Sequence, residues 1–181
     1  KSAGPVIFRA GFSSSLLSHR RYMGRSFDTA GPRLLAIWTR LSPLPGGRWL
    51  FNRRLGLMIP YTGTIKPRVL ELRPGYAKIA LRDRRRVRNH LNSIHAIAMA
   101  NLGEVASGLA MSVGLPANIR GIPTKISIEY LKKARGTLIA ESQPDIPPVT
   151  TDIDHIVEAE IRDGTGDVVA RLSATWKLSP R

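Results

Sequence analysis

The sequence contains no cysteine. That excludes a disulfide framework, a zinc–thiolate site and a cysteine nucleophile, and it fits a reducing compartment. Acidic residues are scarce early in the chain. Through position 100 they are Asp28, Glu71 and Asp83, against 19 Lys and Arg, a net +16. The remainder carries 10 acids against 9 bases, so the overall +15 sits in one part of the molecule. That part is expected to seek an anionic partner: nucleic acid, acidic lipid, a phosphorylated ligand or an acidic protein. The sequence also lacks an internal repeat, a P-loop, a dinucleotide-binding glycine motif and a nucleic-acid fingerprint. No metal site and no cofactor are expected.

What is present suits one globular domain of 181 residues, 43% hydrophobic, with a tail left over. Residues 1–27 hold five bases, six serines and no acid, the composition of a mitochondrial or plastid transit segment. The boundary is placed after residue 32, separating a basic Ser/Arg-rich extension (1–32) from a folded domain (33–181). Phe8, Phe12, Leu16, Leu17 and Tyr22 offer the tail an apolar anchor, and Arg20, Arg21 and Arg25 are expected near acidic groups of a partner.

An amphipathic helix is predicted over Pro32–Leu41, stopped by Ser42-Pro43-Leu44-Pro45-Gly46-Gly47, and a second over Arg48–Ile59. The pair either lies on a membrane surface or caps the open face of a sheet. From Ile65 the period becomes two. Strands are predicted at 65–72 and 76–81 around Arg73-Pro74-Gly75, then near 126–131, 137–142, 153–161 and 168–178. Between them lies a basic loop with Arg82, Arg84, Arg85, Arg86 and Arg88, then a long helix over Ile94–Val113 ended by Gly114 and Pro116.

Between His95 and Gly114 the one formally charged residue is Glu104. A helix apolar all round is a membrane span or the buried centre of a sheet. His95, Asn101, Glu104, Ser107 and Ser112, with amphipathic strands on both sides, favour the second. A carboxylate among apolar neighbours acquires a raised pKa, and such groups gather at working sites. The preceding Asn89-His90-Leu91-Asn92-Ser93-Ile94-His95 puts amides, imidazoles and a hydroxyl at the helix entrance, where free backbone N–H groups suit an oxyanion. Ser93 is a good N-cap candidate, and His95 by itself reads as a capping or packed histidine. The small residues Ala100, Gly103, Ser107 and Gly108 are expected on an exposed face that accepts a partner backbone.

The run 89–96, followed by Asn101-Leu102-Gly103-Glu104, resembles the PaaI-like and YiiD-like acyl-CoA thioesterases of the hotdog superfamily, in the branch catalogued as a domain of unknown function. The likeness covers about residues 33–179 and implies an α+β hotdog fold, with an antiparallel sheet of about five to six strands wrapped around the long helix. In that superfamily a His-Gly-Gly opens the central helix and an acid nine positions on activates water against the thioester. His95 and Glu104 keep this spacing, while Ala96 and Ile97 replace the glycines. The resemblance implies homodimers built on the central helix and a sheet edge, with each site shared between protomers. Glu104 is then the general base, the His95–Ala96 backbone the oxyanion donor, and Asn92 the group orienting water. Arg84, Arg85, Arg86 and Arg88 are expected to grip the phosphates of coenzyme A, and acyl carrier protein is an alternative carrier. A second reading is a non-catalytic subunit of a mitochondrial assembly (respiratory complex, ATP synthase or mitoribosome), on the matrix side, with membrane or RNA contact.

Overall fold

A computed structural model describes residues 30–181. The expectations for the tail through residue 29 lie outside that range.

Six strands form one antiparallel sheet in the order β1-β2-β4-β5-β6-β3. They run β1 Arg68–Arg73, β2 Tyr76–Leu81, β3 Ile119–Tyr130, β4 Leu138–Ser142, β5 Ile153–Arg162 and β6 Val168–Pro180. The long helix α4, Ala96–Gly114, lies in their concavity. Its Leu102, Ala106, Ala110 and Met111 are fully buried, as are Ile79, Leu81, Leu138, Ile161, Leu172 and Leu178 of the sheet. Each such aliphatic side chain contributes about 1.5–3 kcal/mol of burial, and this seam is the core. Gly103 lets the helix sit down on β6, since a Cβ there would stand 3.0 Å from the Leu172 side chain. This is the hotdog arrangement that the resemblance implies. α4 is the described helix long and apolar enough to cross a membrane, and its own sheet buries most of it.

Three short helices pack on α4 and β1: α1 Ala30–Leu41, α2 Gly47–Met58 and α3 Pro60–Ile65. They cap the open side of the sheet. Leu34 and Trp38 of α1 meet Phe51 and Leu55 of α2 in the core, with the Trp38 and Phe51 rings edge to face at 5.0 Å. Gly31 brings α1 onto the end of α4, because any Cβ there would overlap the Ser112 carbonyl. Asn52 of α2 clips the sheet edge: its Oδ1 accepts from Val69 N at 2.7 Å and its Nδ2 donates to Val69 O at 3.4 Å.

Four local readings are corrected. Residues 60–65 form a helix where the alternation predicted that a strand begins at 65. Pro60 is set for a first helical turn, Thr62 and Ile65 are buried three apart, and Lys66 ends the turn in the left-handed region at φ 48°. β3 begins at Ile119, seven residues before its expected start. As an edge strand exposed on both faces it shows no burial alternation, and Pro123 sits at a register shift where no ladder donor is needed. The helix starts at Ala96, because a bridge between Arg88 and Ile94 keeps the chain extended up to its cap. In β6 the period of two sets Val169 on the side of Arg171 and Lys177, away from the core, yet it is fully buried, and the N–H groups of residues 131 and 132 reach its carbonyl.

Candidate active site

Along α4 the residues between its ends that keep some exposure fall on one stripe: Ile97, Ala100, Glu104, Gly108 and Ser112, three or four apart. Gly103 and Ser107, expected on that face, are buried against the sheet instead. Glu104 therefore leaves the core on the one side of the helix that the sheet does not close. Its carboxylate makes no hydrogen bond or ion pair among the described residues, and burial pushes its pKa above the usual range.

Beside it lies a cavity of about 260 Å³. α1, α2 and α3 wall it with Leu34, Leu55, Met58 and Thr62; α4 gives Glu104, Gly108 and Ser112; β6 gives Trp176. Trp176 is 7% exposed, and its indole Nε1 is buried without an acceptor. A Cβ on Gly108 would stand 3.7 Å from Glu104 Oε1 and 3.9 Å from Trp176 Cζ2, the ring edge on the Nε1 side. The Trp176 ring edge and the Glu104 carboxylate thus meet beside Gly108, whose missing side chain leaves open space between them. The cavity is otherwise largely apolar. It fits a hydrocarbon chain whose polar end reaches Glu104.

His95 is the N-cap of α4, with its Nδ1 accepting from Ile97 N at 3.1 Å. Ser93, the other cap candidate, is two residues too early; its hydroxyl donates to Asn89 Oδ1 at 3.1 Å and is buried. Asn89 Oδ1 also accepts from the N–H groups of Leu91 (2.9 Å) and Ser93 (3.2 Å), which shapes the loop. The donors at the helix start are mostly spent. His95 N–H goes to Val87 O at 2.8 Å and Ile97 N–H to the His95 ring. The Ala96 N–H has no acceptor among the described residues, and it is the one that can meet an oxyanion. The Ala96 carbonyl accepts from Tyr130 Oη at 3.0 Å, which ties the end of β3 to this corner.

The structure does not bring the expected site residues together within one chain. Eight residues of helix at about 1.5 Å each place the backbone of Ala96 about 12 Å from that of Glu104. Asn92 is exposed, in the left-handed region at φ 55°, and its Oδ1 accepts from Arg88 Nη1 at 2.9 Å. Of the basic loop, Arg88 is committed to Asp83 at 2.6 Å, which holds the Asp83 carboxyl below its usual range. Arg84 donates to Thr64 O at 3.1 Å, and burial lowers its pKa. Arg82, Arg85 and Arg86 are exposed and make no ion pair among the described residues. Thus Arg85 and Arg86 stay open to an anion while Arg84 and Arg88 hold the loop. The described residues contain no cluster of metal-ligating side chains.

Sequence reasoning missed Trp176, which the strict alternation of β6 presents as one more core residue, and the cavity role of the short helices. Their apolar spacing announced burial but not what they bury.

Three comparisons place the chain. The model of the family described as domain of unknown function DUF4442 matches residues 47–178. A structural-genomics protein is 30% identical, with a TM-score of 0.71 over 82% of this chain and 98% of its own. A probable thioesterase of Pseudomonas aeruginosa is 21% identical, with a TM-score of 0.66 over 76% of this chain and 97% of its own. A mutant thioesterase from Staphylococcus aureus, 15% identical with a TM-score of 0.58, covers 67% of this chain and 99% of its own. Comparison with curated proteins gave no match. With most of its folded domain matched, the chain belongs to the DUF4442 family, and it shares the hotdog sheet and central helix with these thioesterase structures.

Proposed function

We propose that the protein hydrolyses acyl thioesters, with Glu104 as general base at the mouth of the apolar cavity. The observation that carries this reading is the unpartnered, half-buried carboxylate facing a cavity suited to a hydrocarbon chain. Glu104 takes a proton from water as its oxygen attacks the thioester carbonyl carbon. The tetrahedral oxyanion is met by a helix-start N–H, the C–S bond breaks, and the proton passes to the leaving thiolate. The products are a carboxylic acid and a thiol. Acyl-CoA is the substrate tested first, because Arg85 and Arg86 remain open to its phosphates; acyl carrier protein is the alternative carrier. Incubating the purified protein with acyl-CoAs of graded chain length and following thiol release tests the proposal. Release from a subset is expected; none from any acyl-CoA or acyl carrier protein overturns it.

The distance between the helix start and Glu104 makes the partner protomer part of the proposal. The backbone of Ala96 lies about 12 Å along the helix axis from that of Glu104 in its own chain, whereas reacting atoms need about 3–3.5 Å. A second copy, docked along β3 and the α4 stripe, supplies the helix start. β3 offers the means: a twelve-residue edge strand with Ile122 and Ile126 exposed. Sedimentation is expected to give a dimer or a dimer of dimers, and Ile126→Asp to shift it toward monomer with loss of hydrolysis. A wild-type monomer with full activity contradicts the shared site.

The pH dependence follows from burial. Glu104 acts as a base only when ionised, and its carboxyl is held above the usual range. The acidic limb of kcat/KM is therefore expected above the range of a free glutamate. A limb within that range removes Glu104 as the group that titrates. A mitochondrial matrix location is carried by the composition of residues 1–27 alone. Co-migration with organellar particles, in place of a free small oligomer, would favour the subunit reading.

A further inference from the structure

The helical cap has an outer face that hydrolysis does not use. Between residues 30 and 68 there is no acid, and there are seven bases: Arg33, Arg40, Arg48, Arg53, Arg54, Lys66 and Arg68. The inner sides of α1–α3 are spent on the core and the cavity. The outer side carries large apolar groups in water: Trp49 is 65% exposed, Leu57 71% and Tyr61 68%. Trp49, Arg53 and Leu57 lie four apart on one stripe of α2, with the Arg53 guanidinium 5.9 Å from the Trp49 ring centroid. With Pro60, Lys66 and Arg68 they border one groove between α2 and the start of β1. The first acid that follows this stretch, Glu71, acts on Tyr76 and Lys78.

We propose that the outer face of α2 and α3 docks on the surface of an anionic phospholipid bilayer. Large apolar side chains interleaved with bases, with no acid among them, suit the boundary where headgroup phosphates meet acyl chains. The indole and phenol rings sit at headgroup level, and the long basic side chains reach the phosphates. A folded protein partner or nucleic acid would use the charge, but it would leave Leu57 and Tyr61 without the apolar depth that a bilayer supplies. Met58 lies between this face and the cavity. The docking itself does not rest on the thioesterase reading, since it requires no substrate.

The molecule carries its own reporter. Of its three tryptophans, Trp38 and Trp176 are buried in the fold, and Trp49 is the exposed one. Titrating the full chain with phosphatidylcholine vesicles containing phosphatidylglycerol is expected to shift the emission to the blue and protect it from aqueous iodide. Pure phosphatidylcholine is expected to do neither. Trp49→Phe removes the spectral response. Neutralising Arg53, Lys66 and Arg68 to Gln weakens vesicle binding by roughly fivefold per base, and high salt weakens it likewise. These side chains are exposed, so thermal unfolding of the variants should match wild type and keep a null result interpretable. Three results overturn the proposal: vesicle binding unchanged in the triple variant, which assigns binding to residues 1–29; no change in Trp49 emission on anionic vesicles; or saturable binding to RNA without binding to vesicles.

Discussion

Glu104→Gln is expected to cut the turnover of any acyl thioester that the wild type hydrolyses by about 10²-fold or more, the usual contribution of a general base. The same change should make the protein more stable at neutral pH. Burial raises the folded-state pKa of Glu104, so the folded protein holds this proton more tightly than the unfolded chain does. The stability this group contributes is complete below the ordinary glutamate range and is lost as pH rises through the raised value. Gln suffers no such loss, so the variant should gain on the wild type as pH rises, and the difference should vanish in acid. Denaturant midpoints across that range, beside activity on the best acyl-CoA, read both effects. A variant that is less stable and inactive at every pH would mean that Glu104 holds the fold together.

The second large effect is in the core. Leu172→Ala is expected to cost about 2–5 kcal/mol, because it opens a void at the point where α4 rests on β6. Leu172 is fully buried, and Gly103 of the helix lies directly over it. The denaturation midpoint should fall with the m-value unchanged. Thioester turnover at a temperature where the variant remains folded should also fall, since Glu104 follows Gly103 on the helix and moves with it. A loss below about 1 kcal/mol would mean that the helix does not rest on this residue.

Where one side chain's environment is set by its near neighbours in sequence, the chain could be read directly. The hairpin at Arg73-Pro74-Gly75 stands where predicted, with Gly75 at φ 69°. β5 and β6 lie within a residue or two of their expected bounds because their inward faces alternate, and β2, buried along nearly its whole length, is bounded by the turn before it. Glu104 was legible for the opposite reason: a single charge on an apolar helix has no local explanation. β3 was half-missed because an edge strand lacks the alternation that burial imposes. Residues 60–65 depend on a proline at the first helical position and a left-handed lysine, signals weaker than the alternation that follows them. Of the two capping candidates, His95 and Ser93, the bridge between Arg88 and Ile94 decides for His95, and pairing across a loop leaves no mark on the local pattern. Trp176 reads as core, and it is core; only its placement beside Gly108 and Glu104 in space makes its ring part of the cavity wall. Asn92 was placed in the site by resemblance, and within its own chain it serves the Arg88 loop.

The claim at the centre of the account is that one site takes its base from one protomer and its oxyanion donor from the other. Ala96→Pro removes the one open N–H at the helix start while keeping the helix. Residue 96 is the first helical position, where proline is favoured, and His95 already has the extended backbone that a following proline requires. Alone, this variant should lose about 10²–10³-fold in kcat, and Glu104→Gln alone should be similarly impaired. Mixing the two under conditions that exchange subunits is the direct test. Each heterodimer then has one site with both substitutions and one with neither, so the predicted result is that activity returns on mixing, far above either variant by itself. If the mixture stays as inactive as its components while subunit exchange is shown to be complete, the base and the donor belong to one chain and the shared site is contradicted.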